Sequence, residues 1–272
     1  MKIACVGDCG VDRYLPSNSL LPGGITANFT RQARRCFKTA DKISIISMVG
    51  NGEPEATVAL AAVRVTGIDC FITVHPGTTP VQYIEITKSG EKNFTRYEPG
   101  ILGHFDLDVA QRRILKEADL VMTPVYWQIH NVFEKVLASD ITGTLAVDFS
   151  DFSTDPDFDL LEQNIEKIDI AFFGLNHHQT EMIDRISKIT EKTNKLMVIT
   201  LGDMGSIAIK GNKKISRPAL PVDQVVDTTG AGDAFAAGFL SSYMHDQKID
   251  LALEKGAVIA AETIQHVGSV PN

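Results

Sequence analysis

The sequence predicts an α/β fold: a parallel sheet covered on both faces by helices, with a small β-hairpin lid. Three observations carry that expectation. Compact apolar runs alternate with helical stretches along most of the chain; one β-rich interruption falls before the middle; and a glycine-rich loop opens a long helix near the end.

Ile3 to Gly7 is a short apolar run closed by glycine, which suits a buried strand. Thr26 to Lys38 spaces Ala27, Phe29, Ala33, Cys36 and Phe37 at roughly helical intervals. Ile43 to Val49 is the next strand, and Gly50-Asn51-Gly52 turns it into a helix over Glu53 to Val65. Val81 to Thr87 and Asn93 to Tyr97 form the predicted hairpin, turned at Lys88 to Lys92 by Gly90. Further strands are expected at Leu120 to Thr123, Leu145 to Phe149, Ile168 to Phe173 and Leu196 to Leu201. Ser206 to Lys210 and Lys213 to Arg217 flank Gly211-Asn212 as an edge hairpin, and helices over Ala231 to His245 and Leu251 to Gln265 close the chain. Without repeats, linkers or charge runs, residues 1–272 are expected to form one domain with a lid around residues 81–97.

Composition narrows the function. In 272 residues, 44% are hydrophobic and 22% charged, which is globular rather than disordered. Lys and Arg number 26 against 34 Asp and Glu, a net charge of −8 that argues against a general nucleic-acid binder. Cys5, Cys9, Cys36 and Cys70 lack C-x-x-C spacing and are expected to be reduced core thiols. Asp8 interrupts the first apolar run before a signal-peptide core is built, and no apolar stretch is long enough to span a bilayer, so a cytoplasmic protein is expected.

Chemistry concentrates in Val226 to Phe235. Gly230 and Gly232 let the backbone approach a ligand, and the helix start offers free N–H groups to an anion. Asp233 lies in that first turn. Local chemistry leaves two readings open: a base that takes a proton from an attacking hydroxyl, or a carboxylate that caps the helix. A dinucleotide fingerprint fails because its third glycine position holds Phe235, and no G-x-x-x-x-G-K-[ST] occurs.

Asp227-Thr228-Thr229-Gly230-Ala231-Gly232-Asp233 resembles the D-T-x-G-A-G-D signature of the ribokinase-like, or phosphofructokinase B, carbohydrate kinases. Other segments are similar in the same order. Val6-Gly7-Asp8 with Asp12 resembles the first strand and its substrate-binding aspartate, Pro22 to Asn28 the G-G-x-x-x-N substrate motif, and Thr200 to Gly205 the T-L-G-x-x-G nucleotide loop. The resemblance implies a three-layer Rossmann-like ribokinase fold and transfer of the γ-phosphoryl group of ATP to a sugar hydroxyl, with Mg2+ bridging the phosphates. It implies Asp233 as base, with the amides of Gly230, Ala231 and Gly232 as an anion hole. Asp12, Gly23, Gly24 and Asn28 would grip the sugar, and Asn176, Thr200, Gly202, Gly205 and Thr228 would line the nucleotide. Asp227 and Thr229 would hold a monovalent cation such as K+, and the lid would pair two chains into a homodimer.

The family's N-x-x-E motif is altered: three residues after Asn176 stands Gln179, and Glu181 is the carboxylate expected to act on magnesium. Adjacent His177 and His178 diverge on a helix and make a poor metal pair. Tyr126-Trp127-Gln128-Ile129-His130 and Asp148-Phe149-Ser150-Asp151 resemble the fructoselysine 6-kinase branch, which would place Trp127 and the lid's Arg96 against the acceptor. A kinase for another ketose, a sugar acid or a nucleoside, and a non-catalytic sensor on the same fold, remain alternatives.

Overall fold

The computed structural model describes residues 1–86, 92–154 and 156–270. In chain order the elements begin with β1 (Lys2–Val6), β2 (Gly10–Leu15), β3 (Ser19–Gly23), α1 (Ile25–Cys36), β4 (Lys42–Gly50), α2 (Glu55–Val63) and β5 (Ile68–His75). Next come β6 (Val81–Ile86), β7 (Lys92–Glu98), α3 (Val109–Glu117), β8 (Leu120–Pro124), α4 (His130–Leu137), β9 (Thr144–Asp151) and α5 (Phe158–Asn164). The chain finishes with β10 (Ile170–Gly174), α6 (Thr180–Thr193), β11 (Leu196–Thr200), β12 (Ser206–Lys210), β13 (Lys213–Arg217), α7 (Ala231–Asp246) and α8 (Ile249–Thr263).

The main sheet has nine strands in the order β13-β12-β11-β10-β9-β8-β1-β4-β5. Its pairs are parallel from β11 through to β5, and β12 and β13 add an antiparallel edge. Alternating side chains reach two cores. Ile3 and Cys5 of β1 join Phe29 of α1 and Phe239 of α7, while Ala4 and Val6 join Phe133 of α4 and Ile186 of α6. Helices therefore cover both faces, as the apolar runs predict.

The region expected to form a hairpin lid is larger than a hairpin. β6 and β7 pair antiparallel as expected, but β2 pairs parallel to β6 and β3 antiparallel to β2, giving a second sheet of four strands. A lone two-stranded hairpin is marginal in water, and the added strands supply the missing support. The turn expected over Lys88 to Lys92 lies outside the described residues except for Lys92. The expectation of core thiols holds for Cys5 and Cys9 but not for Cys70, which is exposed on edge strand β5.

Helix α1 shows how the two sheets are joined. Its N-terminus follows Gly24 at φ 101°, a conformation favouring glycine, and its first amides are capped from afar. Asp8, just past β1, accepts the N–H groups of Ile25 and Thr26 through its two oxygens, each at 3.0 Å. One carboxylate thus pins the end of the central strand to the start of α1.

Candidate active site

A cleft of about 900 Å³ lies between the carboxyl ends of the central strands and the four-stranded sheet. This is where ligands gather in open α/β sheets. Its floor carries Asp8 beyond β1, Tyr126 beyond β8 and Ser150 at the end of β9, and the N-terminus of α7 brings Gly230 and Asp233. Asp12 comes from β2, and Gln82 and Arg96 from β6 and β7.

The base of the cleft is acidic and buried. Asp8, Asp12, Asp148 and Asp233 are all buried. Burial pushes the Asp233 carboxyl well above the usual carboxylate range, and the charges of Asp148, Asp8 and Asp12 push the same way, while the Asn28 side chain, within hydrogen-bonding reach, opposes them. Burial also raises Asp148 to about 6, with Asp8 adding to the rise and the N–H of Ser150, donated at 2.7 Å, countering it. Asp8 also accepts the Tyr126 hydroxyl at 3.0 Å, and Tyr97 from β7 packs edge-on against the Tyr126 ring. Tyr97 therefore carries the four-stranded sheet into contact with the floor.

At the head of α7, Gly230 adopts φ 74°, and a Cβ there would come within 2.5 Å of the Ser269 Cβ. Ala231 N–H donates to Thr228 O at 3.2 Å, whereas the N–H groups of Gly232 and Asp233 meet no acceptor among the described residues. A Cβ on Gly232 would touch nothing within 4 Å. An anion approaching the helix start thus finds two open amides and room; the amide of Ala231, expected in that hole, is engaged by the protein itself. Asp227 stands behind the loop, accepting Thr229 N–H at 2.8 Å and Gly268 N–H at 2.9 Å.

The expected substrate residues converge well. Asp12, Gly24, Asn28, Arg96 and Trp127 line the cleft, and Gly23 sits against Asp12, where a Cβ would meet the carboxylate at 2.3 Å. Trp127 is 74% exposed, so its indole is cleft surface and not core. Arg96 is also exposed; its guanidinium pairs with Glu98 at 3.1 Å and lies 4.1 Å over the Tyr83 ring. Thr228 and Thr229 line the cleft beside Gly230.

Asn176, Glu181, Thr200, Gly202 and Gly205 stand apart, at or just past the ends of β10 and β11, on the same edge of the main sheet but outside the cleft lining. Gly202, at φ 59° with nothing within 4 Å of a Cβ, leaves room for a close ligand. Gly205 is structural, because a Cβ there would strike Arg217 O at 2.1 Å. The Thr200 hydroxyl, expected at the phosphates, turns to Phe173 O at 3.4 Å. At the altered magnesium motif, Gln179 accepts Asn176 N–H at 2.8 Å and donates to Ser153 O at 3.2 Å, while Glu181 is exposed in the first turn of α6. Among the described residues no three His, Cys, Asp or Glu side chains converge to chelate a metal. These residues fit an ion carried on nucleotide phosphates rather than one gripped by the protein.

Sequence reasoning passed over Tyr97 and Phe94, and used Asp8 and Asp148 only as motif letters. Tyr97, Phe94 and Asp8 line the cleft, and Asp148 is buried close enough to raise Asp233. Asp148 had a legible signal, a lone aspartate ending an apolar strand run; Tyr97 had none, because its importance depends on which way the hairpin folds.

Among the described residues no helix is long and apolar enough to cross a membrane. The chain is 28% identical over 268 residues to a fructosamine kinase of Bacillus subtilis (strain 168), covering 97% of this chain and 90% of that one. It is 28% identical over 269 residues to a fructoselysine 6-kinase of Escherichia coli (strain K12), covering 98% of each. Its fold matches a putative ribokinase II of E. coli, solved with ATP and Mg2+, at a TM-score of 0.78 and 20% identity over 98% of this chain and 94% of that one. Residues 128–272, which include the cleft's Trp127-adjacent segment and the whole head of α7, match the pfkB family carbohydrate kinases. With the glycine loop, the buried aspartate and the cleft at the carboxyl edge of the sheet, that match identifies the chain as a member of the pfkB carbohydrate kinase family.

Proposed function

We infer that this kinase phosphorylates a fructosamine, a sugar joined to an amine, with fructoselysine as the leading candidate. The observation that carries the reading is the charge of the cleft: Asp8, Asp12, Asp151, Asp157 and Asp233 line it, Arg96 is its one Lys or Arg among the described residues, and the exposed face of Trp127 lies beside them. A protonated amine suits carboxylates and an aromatic face, whereas a sugar acid would meet repulsion. Arg96 at the rim offers a paired hydrogen bond to a carboxylate on the amine-linked tail, shared with Glu98. The similarity to a fructosamine kinase and a fructoselysine 6-kinase supports the same acceptor class.

In this reading residues 1–272 act as one catalytic unit and the four-stranded sheet is its lid. Asp12, Gly23, Gly24 and Asn28 hold the sugar with its hydroxyl beside Asp233. Asp233 takes the hydroxyl proton as the oxygen attacks the γ-phosphorus; the bond to the β-phosphate oxygen breaks, and ADP leaves. Burial and the neighbouring carboxylates raise this carboxyl above its usual range, which makes it a stronger proton acceptor once ionised. The open amides of Gly232 and Asp233 face the charge that develops on the transferring group. Asn176, Thr200, Gly202, Gly205 and Thr228 border the nucleotide. Glu181 is the carboxylate that would help hold Mg2+, which would supply charge neutralisation on the phosphates. A monovalent cation such as K+ behind the loop, at Asp227 and Thr229, and a homodimer formed lid to lid complete the proposal.

An ADP-release screen over fructoselysine, fructose, a sugar acid and a nucleoside tests it. kcat/KM for fructoselysine should exceed that for fructose by at least about tenfold, roughly 1.4 kcal/mol of discrimination. Equal values on the two sugars would remove the fructosamine assignment and leave the sugar-kinase reading. Sugar binding without ADP from any acceptor would favour a sensor.

A further inference from the structure

The segment after α8 folds back onto the head of α7 and onto α1. Gly268 N–H donates to Asp227, and Ser269 O accepts the Nε2–H of Gln32 at 2.8 Å. Gln32 also donates to Thr263 Oγ1 at 3.0 Å. The Ser269 hydroxyl donates to Asn28 Oδ1 at 2.6 Å, and its Cβ packs against Gly230. Asn28, Gln32, Thr263 and Ser269 are all buried.

An asparagine amide can face a neighbour with its oxygen or with its nitrogen. The Ser269 hydroxyl, donating to Oδ1, holds the Asn28 side chain in place and leaves Nδ2–H as the end for Asp233. We propose that Ser269 is a positioning residue for the base, acting through Asn28 to keep an N–H directed at the Asp233 carboxylate. This rests on Asp233 being the base. Among the described residues the charged groups that act on Asp233 are carboxylates: Asp148 from β9, Asp8 beyond β1 and Asp12 from β2. All of these favour its protonated, inactive form, and Asn28 is the side chain that favours the ionised one.

The test is the pH profile of kcat/KM for Ser269→Ala, with ATP and fructoselysine, or fructose if fructoselysine is not turned over. Without this tether the Asn28 amide is no longer held against Asp233, and the ionised base loses support. The acid limb should move up by about one pH unit, so that activity on that limb falls about tenfold further than on the alkaline plateau. Ser269→Thr, which keeps the hydroxyl, should restore the wild-type limb. A uniform loss at all pH values accompanied by a lower Tm would show a merely structural role and overturn the proposal, as would the same shifted limb in Ser269→Thr. Asp233→Asn separates the two readings: if that variant keeps its activity the base assignment fails, whereas if it is inactive and Ser269→Ala leaves the limb in place, only the positioning role fails.

Discussion

Gly232→Ala should stabilise the protein and cripple it. Gly232 is the second residue of α7, its φ is not positive, and a Cβ there would meet no heavy atom within 4 Å. Alanine is favoured over glycine by about 0.8–1 kcal/mol inside a helix, and less in the first turn, so a gain of about 0.5 kcal/mol is expected. At about 2–4 °C per kcal/mol for a chain of this size, Tm should rise by about 1–2 °C. The same empty space is what an incoming phosphoryl group would occupy. A methyl there displaces the group by about 1 Å, and misplacement on that scale costs on the order of 10²-fold in rate. Gly230→Ala differs in kind, because φ 74° and the nearby Ser269 Cβ make any side chain strained, so both Tm and rate should fall. Calorimetry and steady-state ADP release, run on the same preparations, measure the two effects. A Gly232→Ala enzyme with kcat within twofold of wild type would refute the idea that a ligand approaches this amide. A Tm lowered by several degrees would refute the open space.

Asp233→Asn keeps the shape but cannot take a proton, so kcat should fall on the order of 10²–10⁴-fold with a much smaller change in acceptor KM; a variant with half the wild-type kcat would end the assignment. Asp148→Asn should raise stability in a pH-dependent way. The folded state raises this carboxyl to about 6, so its proton stabilises the fold below the unfolded value, and that contribution is lost as pH rises through about 6. The stability advantage of the variant, read by denaturant unfolding, should therefore grow between about pH 4 and 7, to at most about 3 kcal/mol, and level off above; an advantage confined to acid would contradict the sign. Trp127→Ala should reduce the preference for fructoselysine over fructose more than it reduces rates on fructose, as measured by paired kcat/KM values. Sedimentation should find dimers at micromolar concentration, and a strict monomer would count against lid-to-lid pairing.

The main sheet was legible because its strands are buried on both faces and so appear as unbroken apolar runs: Ile3 to Val6 and Leu196 to Ile199 are nearly solvent-free. β2, β3 and β5 were not. β2 mixes Gly10, Asp12 and Arg13, β3 carries Pro22, and β5 has one buried residue, Ile68, in eight. Their strand character comes from pairing partners far away in sequence. The site divides the same way. Gly230 and Asp233 announce themselves through local backbone chemistry, which a short segment contains in full. Asp8 as a cap for residues 25 and 26, or Ser269 as a partner for Asn28 across 241 positions, depends on how distant segments meet. Thr200 marks the limit of motif reading: the residue is where the pattern puts it, but its hydroxyl faces the sheet.

Asp12 belongs to the four-stranded sheet, and Asp233 belongs to the nine-stranded one with its helices. The chain passes between these sheets beside glycines of unusual conformation, Gly7, Gly24, Gly77 and Gly100. In the proposed reaction the two aspartates grip the same sugar from separate bodies, which makes the acceptor a crosslink between them. ATP alone provides no such tie. Futile hydrolysis would then be restrained by architecture: a sugar spanning both sheets would add to the Tyr97–Tyr126 contact that already joins them, and would put its own hydroxyl, in place of water, beside the phosphate.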